Sequence, residues 1–142
     1  MSDQLTNSAS DQVKPEEEKE TPKKFILVAE DDKLYTDIYK VRLTQEGFDV
    51  KVVEDGEQAL QAARERKPDL IVLDLIMPVK DGFETLKDLK ADPNLKDINV
   101  IVVTVLGQEE DTKRAQDMGA VGYFVKTNIS IHGMVDTIKE YL

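Results

Sequence analysis

Four short apolar runs in this chain each end on residues able to do chemistry. Phe25-Ile26-Leu27-Val28 leads through Ala29 into Glu30, Asp31 and Asp32, and Leu70 to Leu73 ends on Asp74. Val100-Ile101-Val102-Val103 runs into Thr104, and Tyr123-Phe124-Val125 delivers Lys126. Carboxylates gathered at one place repel each other until a proton or a cation relieves them. A hard divalent ion held by carboxyl oxygens, a backbone carbonyl and waters is the pattern of a Mg²⁺ site. A lysine supplies positive charge for a carboxylate or a phosphate oxygen, and a threonine hydroxyl can donate to the same oxygens. Together with an aspartate nucleophile, these are the parts that phosphoryl transfer needs. Taken singly, each has an ordinary structural explanation. Asp31 or Asp32 can cap a helix, Asp74 can open a loop, and Lys126 can be solvated. Their joint position at the ends of apolar runs is what singles them out.

The segments between those runs have helical periods. Leu34, Ile38 and Val41 recur at helical spacing after the first acids, with Gly47 where a helix C-cap is expected. Phe48, Val50 and Val52 alternate as in a strand with one face more exposed. Asp55-Gly56 opens an Ala-rich helix with Ala59, Leu60 and Ala63, which Pro68 stops. Phe83, Leu86 and Leu89 mark a third helix, closing before Asp92-Pro93-Asn94. A polar helix is predicted from roughly Glu109 to Met118, with Gly119 just beyond it. Ile131, Met134, Val135, Ile138 and Leu142 form the stripe of a last helix capped by Ser130. Five βα units with short connections imply an α/β fold: a doubly wound, five-stranded parallel sheet covered by helices on both faces. In such a sheet, ligands sit at the carboxyl ends of the strands, where the residues above are expected.

Composition narrows the function classes. The chain has 142 residues, enough for one sizeable core, and no cysteine, which excludes disulfides and thiolate chemistry. No apolar run approaches a membrane span, and the N-terminus lacks a secretory pattern, so a cytoplasmic location is expected. The net charge of −10 argues against nonspecific binding to nucleic acid or an anionic membrane. It favours cations and basic protein surfaces instead. Residues 1–22 hold only Met1, Leu5, Ala9 and Val13 as clearly apolar groups, with an acidic run between Pro15 and Pro22. They read as a disordered acidic tail ahead of a domain at 23–142. His132, the one histidine, is expected on the surface of the last helix.

The segments Phe25 to Asp32, Leu73-Asp74-Leu75-Ile76-Met77-Pro78 with Asp81-Gly82, Val102-Val103-Thr104 and Gly122 to Lys126 resemble the receiver domain of response regulators. The resemblance covers residues 24–142 and implies the flavodoxin-like (βα)5 three-layer sandwich. It implies that Asp74 accepts a phosphoryl group from a histidine kinase or phosphotransfer protein. It makes Glu30, Asp31 and Asp74, with the Ile76 backbone carbonyl, the ligands of Mg²⁺. Thr104 and Lys126 would contact the phosphoryl group, with Thr104 and Tyr123 as the switch pair and Asp32 as a cap or outer acid. Tyr123 also reads as a core aromatic. A protein target would dock on the face of the fourth helix, fifth strand and fifth helix. The protein would be a stand-alone signalling domain, catalysing only its own phosphorylation and dephosphorylation. Met77-Pro78 and Asp81-Gly82 look like loop geometry after Asp74, with Gly82 free to take positive φ. Two positions depart from the family: Thr127 follows the lysine where proline, commonly cis, is usual, and Val105 follows the threonine where a small residue is usual. Both border the site and bear on rates.

Three other functions fit parts of this pattern. An aspartate-nucleophile phosphohydrolase uses the same residue types, but places its nucleophile after the first strand in a D-x-D-x-T pattern. Here that stretch reads Glu30-Asp31-Asp32-Lys33-Leu34, and no cap domain is apparent. A flavin carrier of the flavodoxin type needs a Ser/Thr/Gly-rich phosphate loop where this chain has acids. A pseudo-receiver would keep the fold as a binding module, yet every site group is retained.

Overall fold

The computed structural model describes residues 22–142. The tail reading of residues 1–22 thus falls almost entirely outside the described residues. The elements alternate strictly. They are β1 (Phe25–Ala29), α1 (Lys33–Gln45), β2 (Asp49–Val53), α2 (Gly56–Glu65), β3 (Leu70–Leu73), α3 (Gly82–Ala91), β4 (Asn99–Thr104), α4 (Glu109–Asp117), β5 (Gly122–Val125) and α5 (Ile131–Lys139). All strand pairings are parallel and the sheet order is β2-β1-β3-β4-β5, as expected of a flavodoxin-like sandwich. No helix among the described residues is long and apolar enough to cross a membrane.

The central strands are apolar without alternation because both faces are covered. Ile26 and Val28, Leu70 and Val72, and Ile101 and Val103 face one core with Tyr39 and Leu43 of α1 and Met134, Val135 and Ile138 of α5. Leu27 and Ala29, Ile71 and Leu73, and Val100 and Val102 face the other core with α2, α3 and Ala115 of α4. Residues two apart share a face. Continued one step past each strand, that parity puts Glu30, Asp74 and Lys126 toward α1 and α5. It puts Thr104 on the side of α2, α3 and α4.

Local signals explain the helix ends. Asp32, Asp55, Asp81 and Ser130 each cap a helix with a side-chain oxygen that accepts a backbone N–H. Gly47 and Gly119 follow α1 and α4 with φ of +95° and +108°, which glycine adopts without steric cost.

Two expectations need correction. The Leu34, Ile38 and Val41 stripe does not face the core; Leu34 and Val41 are exposed, and α1 buries Thr36, Tyr39 and Leu43. Tyr39 supplies more buried surface than the leucine or valine would, so the aromatic face turns inward. Gly82 does not take positive φ; in that loop the positive value, 69°, belongs to Val79. Glycine is needed at 82 for space instead. A Cβ there would lie 2.3 Å from the Asp74 carbonyl oxygen and 2.5 Å from Leu75 Cα. The Gly82 amide donates to the Leu75 carbonyl at 2.9 Å and closes the loop.

Candidate phosphoryl-acceptor site

The backbone fixes the site before any side chain does. The amides just past the strands continue the ladders: Glu30 donates to the Val53 carbonyl at 2.9 Å, Asp74 to Ala29 at 3.0 Å and Lys126 to Thr104 at 2.7 Å. Three of the candidate side chains therefore leave from hydrogen-bonded backbone at one sheet edge. The Lys126–Thr127 peptide is trans, as no cis bond occurs among the described residues.

Glu30 and Asp74 are almost wholly buried and share one cation. Lys126 Nζ lies 2.8 Å from Glu30 Oε1 and 3.1 Å from Asp74 Oδ2. The other Glu30 oxygen accepts the Asp32 amide at 3.0 Å, and Asp74 Oδ1 accepts the Ile76 amide at 3.1 Å. Asp31 stands exposed at the rim. Glu30, Asp31 and Asp74 each offer an oxygen within 4.8 Å of the others. Burial pushes the Glu30 carboxyl up to about 7, with the Asp74 charge adding to the rise and Lys126 opposing it. Burial disfavours the charge on Lys126, but its hydrogen bond to Glu30 and the Asp74 charge outweigh that and hold its pKa above the ordinary value. Three hard oxygen donors, two buried and one open to solvent, suit a divalent cation that retains waters.

Thr104 is fully buried on the opposite side of the sheet, and its Oγ1 accepts the Leu106 amide at a long 3.4 Å. Tyr123 is half-buried against the α2–α4 core and donates its hydroxyl to the Leu106 carbonyl at 2.7 Å. Leu106 thus bridges the two residues. Ile76, two residues past Asp74, and Val105, next to Thr104, are half exposed.

The structure brings Glu30, Asp31, Asp74 and Lys126 into one cluster, with Thr104 and Tyr123 joined through Leu106 beside it. Asp32 stays outside as the cap of α1, its Oδ1 accepting the Leu34 amide. His132 is on the surface and meets Arg42 of α1. Sequence reasoning missed Tyr35, whose ring lies 4.2 Å from Lys126 Nζ. The signal was present as two tyrosines four residues apart, directly after the acids.

Comparisons with known proteins identify the family and the fold. A family model described as the response regulator receiver domain matches residues 26–139. The polar-differentiation response regulator DivK of Brucella anthropi is 34% identical over 119 residues, spanning 84% of this chain and 96% of DivK. The crystal structure of the Mn²⁺-bound form of response regulator Rcp1 superposes with a TM-score of 0.76 at 29% identity, covering 82% of this chain and 92% of Rcp1. The phosphorylated cyanobacterial phytochrome response regulator RcpA superposes with a TM-score of 0.69 at 32% identity, covering 84% and 91%. Fold, ladder-anchored acids and family match converge, and this chain belongs to the response regulator receiver domain family.

Proposed function

We propose that the domain takes a phosphoryl group onto the Asp74 carboxylate from a phosphohistidine of a histidine kinase or phosphotransfer protein. An Asp74 oxygen forms the new O–P bond as the donor's P–N bond breaks and its electron pair leaves with the imidazole. The reading rests above all on one observation: Lys126 joins Glu30 and Asp74 in a buried cluster that opens to solvent beside Asp31. In this reading Glu30, Asp31, Asp74 and the Ile76 carbonyl hold Mg²⁺. Bound there, the ion supplies charge neutralisation for the carboxylates and the incoming phosphoryl oxygens. The Mn²⁺-bound form of Rcp1 and phosphorylated RcpA support both parts by similarity.

Lys126 and Thr104 then contact the phosphoryl oxygens, Lys126 as a point charge and Thr104 as a hydroxyl donor. Thr104 moving toward the new charge stretches its contact with Leu106, and Leu106 also holds the Tyr123 hydroxyl. A rearrangement at Leu106 therefore changes the α4–β5–α5 face, where a downstream protein target docks. The domain so read is a cytoplasmic phosphoprotein that catalyses only its own phosphorylation and dephosphorylation. The test is incubation with phosphoramidate and Mg²⁺, followed by intact mass. Wild type gains one phosphoryl group and Asp74→Asn gains none; a full gain on the Asn variant overturns the reading.

A further inference from the structure

Lys126 has only 6% of its side chain exposed, so its ammonium has little access to water. Two directions around the nitrogen are filled by Glu30 and Asp74. A third is filled by the face of Tyr35, with the nitrogen 4.2 Å from the ring centroid. That distance is well inside the range in which an aromatic quadrupole attracts a cation. Tyr35 is itself fixed from the core side. The ring of fully buried Tyr39 lies 6.3 Å away, tilted by 49°, one helical turn along α1.

We infer that Tyr35 is a positioning residue for phosphoryl transfer, holding the Lys126 ammonium at the pocket through the face of its ring. The inference rests on the functional reading above and gives it a part that the acids cannot supply. When phosphoryl oxygens arrive on Asp74, Lys126 has to turn from carboxylates toward them. A third acid in place of Tyr35 would hold the lysine but repel the incoming group. The ring attracts the cation with no net charge, so it keeps Lys126 at hand without opposing the transfer. Its π-face also replaces part of the hydration that burial removes.

The test compares wild type, Tyr35→Phe and Tyr35→Leu for three readouts: phosphorylation rate with phosphoramidate, affinity for beryllofluoride in saturating Mg²⁺, and Mg²⁺ affinity alone. Tyr35→Phe keeps the π-face and should stay near wild type. Tyr35→Leu should lose roughly fivefold in rate and beryllofluoride affinity, the scale of a partly desolvated cation–π contact. Its Mg²⁺ affinity should be unchanged or higher, because a less constrained ammonium competes no better for Glu30 and Asp74. General damage to the pocket would lower both affinities together, and that result overturns the inference. So does a Leu variant equal to wild type, or a Phe variant as impaired as Leu. If wild type itself takes no phosphoryl group, the functional reading fails, and the role of Tyr35 falls with it. If wild type is phosphorylated on Asp74 and only the Tyr35 comparison is flat, the reading stands without this residue.

Discussion

Lys126 pairs with Glu30 across the ends of two intervening strands, since β3 and β4 lie between β5 and β1 in the sheet. Strands ~4.8 Å apart put those two chain ends on the order of 14 Å from each other. The lysine stem and the turn that follows Val125 close that gap over the top of Asp74. A cation entering among the acids therefore meets a lysine already in possession of two of them.

That competition sets the first expectation, for metal binding. Asp31→Ala removes the one solvent-facing carboxylate of the cluster and should weaken Mg²⁺ at least about tenfold, given what supporting residues around metal sites contribute. Isothermal titration on the unphosphorylated protein reads this directly. Equal affinity in the variant would show that Asp31 is not a ligand.

The raised Glu30 pKa has a sign that can be checked. Its carboxyl goes from an ordinary 4.5 to about 7 on folding, so the folded state holds the proton more tightly than the unfolded chain. The resulting stability is fully present below pH 4.5 and is lost as pH rises through about 7. In metal-free buffer, wild-type unfolding free energy should fall across that window relative to Glu30→Gln, which cannot titrate. Urea melts at several pH values measure both slopes. Parallel curves would mean that Glu30 has no raised pKa.

The loop after Asp74 should respond to substitution with opposite signs at two positions. Val79 is 81% exposed yet holds a φ of 69°, a conformation a β-branched residue adopts only under strain. Val79→Gly should stabilise by about 1 kcal/mol, the relieved strain less the backbone entropy of glycine. Gly82→Ala should destabilise by roughly 2–3 kcal/mol, because the added methyl meets backbone that cannot swing away. Chemical denaturation of both variants decides the matter.

Ile76, two residues past Asp74, and Val105, next to Thr104, are half-exposed apolar side chains that cannot orient an attacking water. The phosphorylated form should therefore lose its phosphoryl group slowly. Ile76→Asn or Val105→Ala should shorten the half-life under saturating Mg²⁺, and one tenfold change equals about 1.4 kcal/mol of barrier. Unchanged half-lives in both variants would turn attention to the loop at Thr127.

Most of this site was legible because buried parallel strands have a simple signature. Apolar runs with no alternation ended on Glu30, Asp74, Thr104 and Lys126, and the fold brings all four to one edge. What the sequence concealed depends on rotation and reach. Nothing in the spacing of α1 says that Tyr39 turns inward while Leu34 and Val41 face solvent, since all three are apolar enough for a core. The Lys126–Glu30 contact joins strands that are adjacent neither in sequence nor in the sheet, so no local pattern announces it. Gly82 showed that a glycine was required without showing whether torsion or room was the reason.

The anchoring of α4 has a consequence for how the molecule breathes. Among its nine residues only Ala115 is buried, its N-cap Gln108 makes no side-chain capping bond, and it is an exposed side chain, Arg114, that lies over the buried Phe83 ring at 3.9 Å. Strands β1, β3 and β4, by contrast, are buried almost throughout. Local opening free energies follow such differences in burial, so the amide protons of α4 should exchange with solvent well before those of β1, β3 or β4. A helix so lightly fastened can be repositioned by a few hydrogen bonds' worth of free energy while the five-stranded wall beside it keeps its shape.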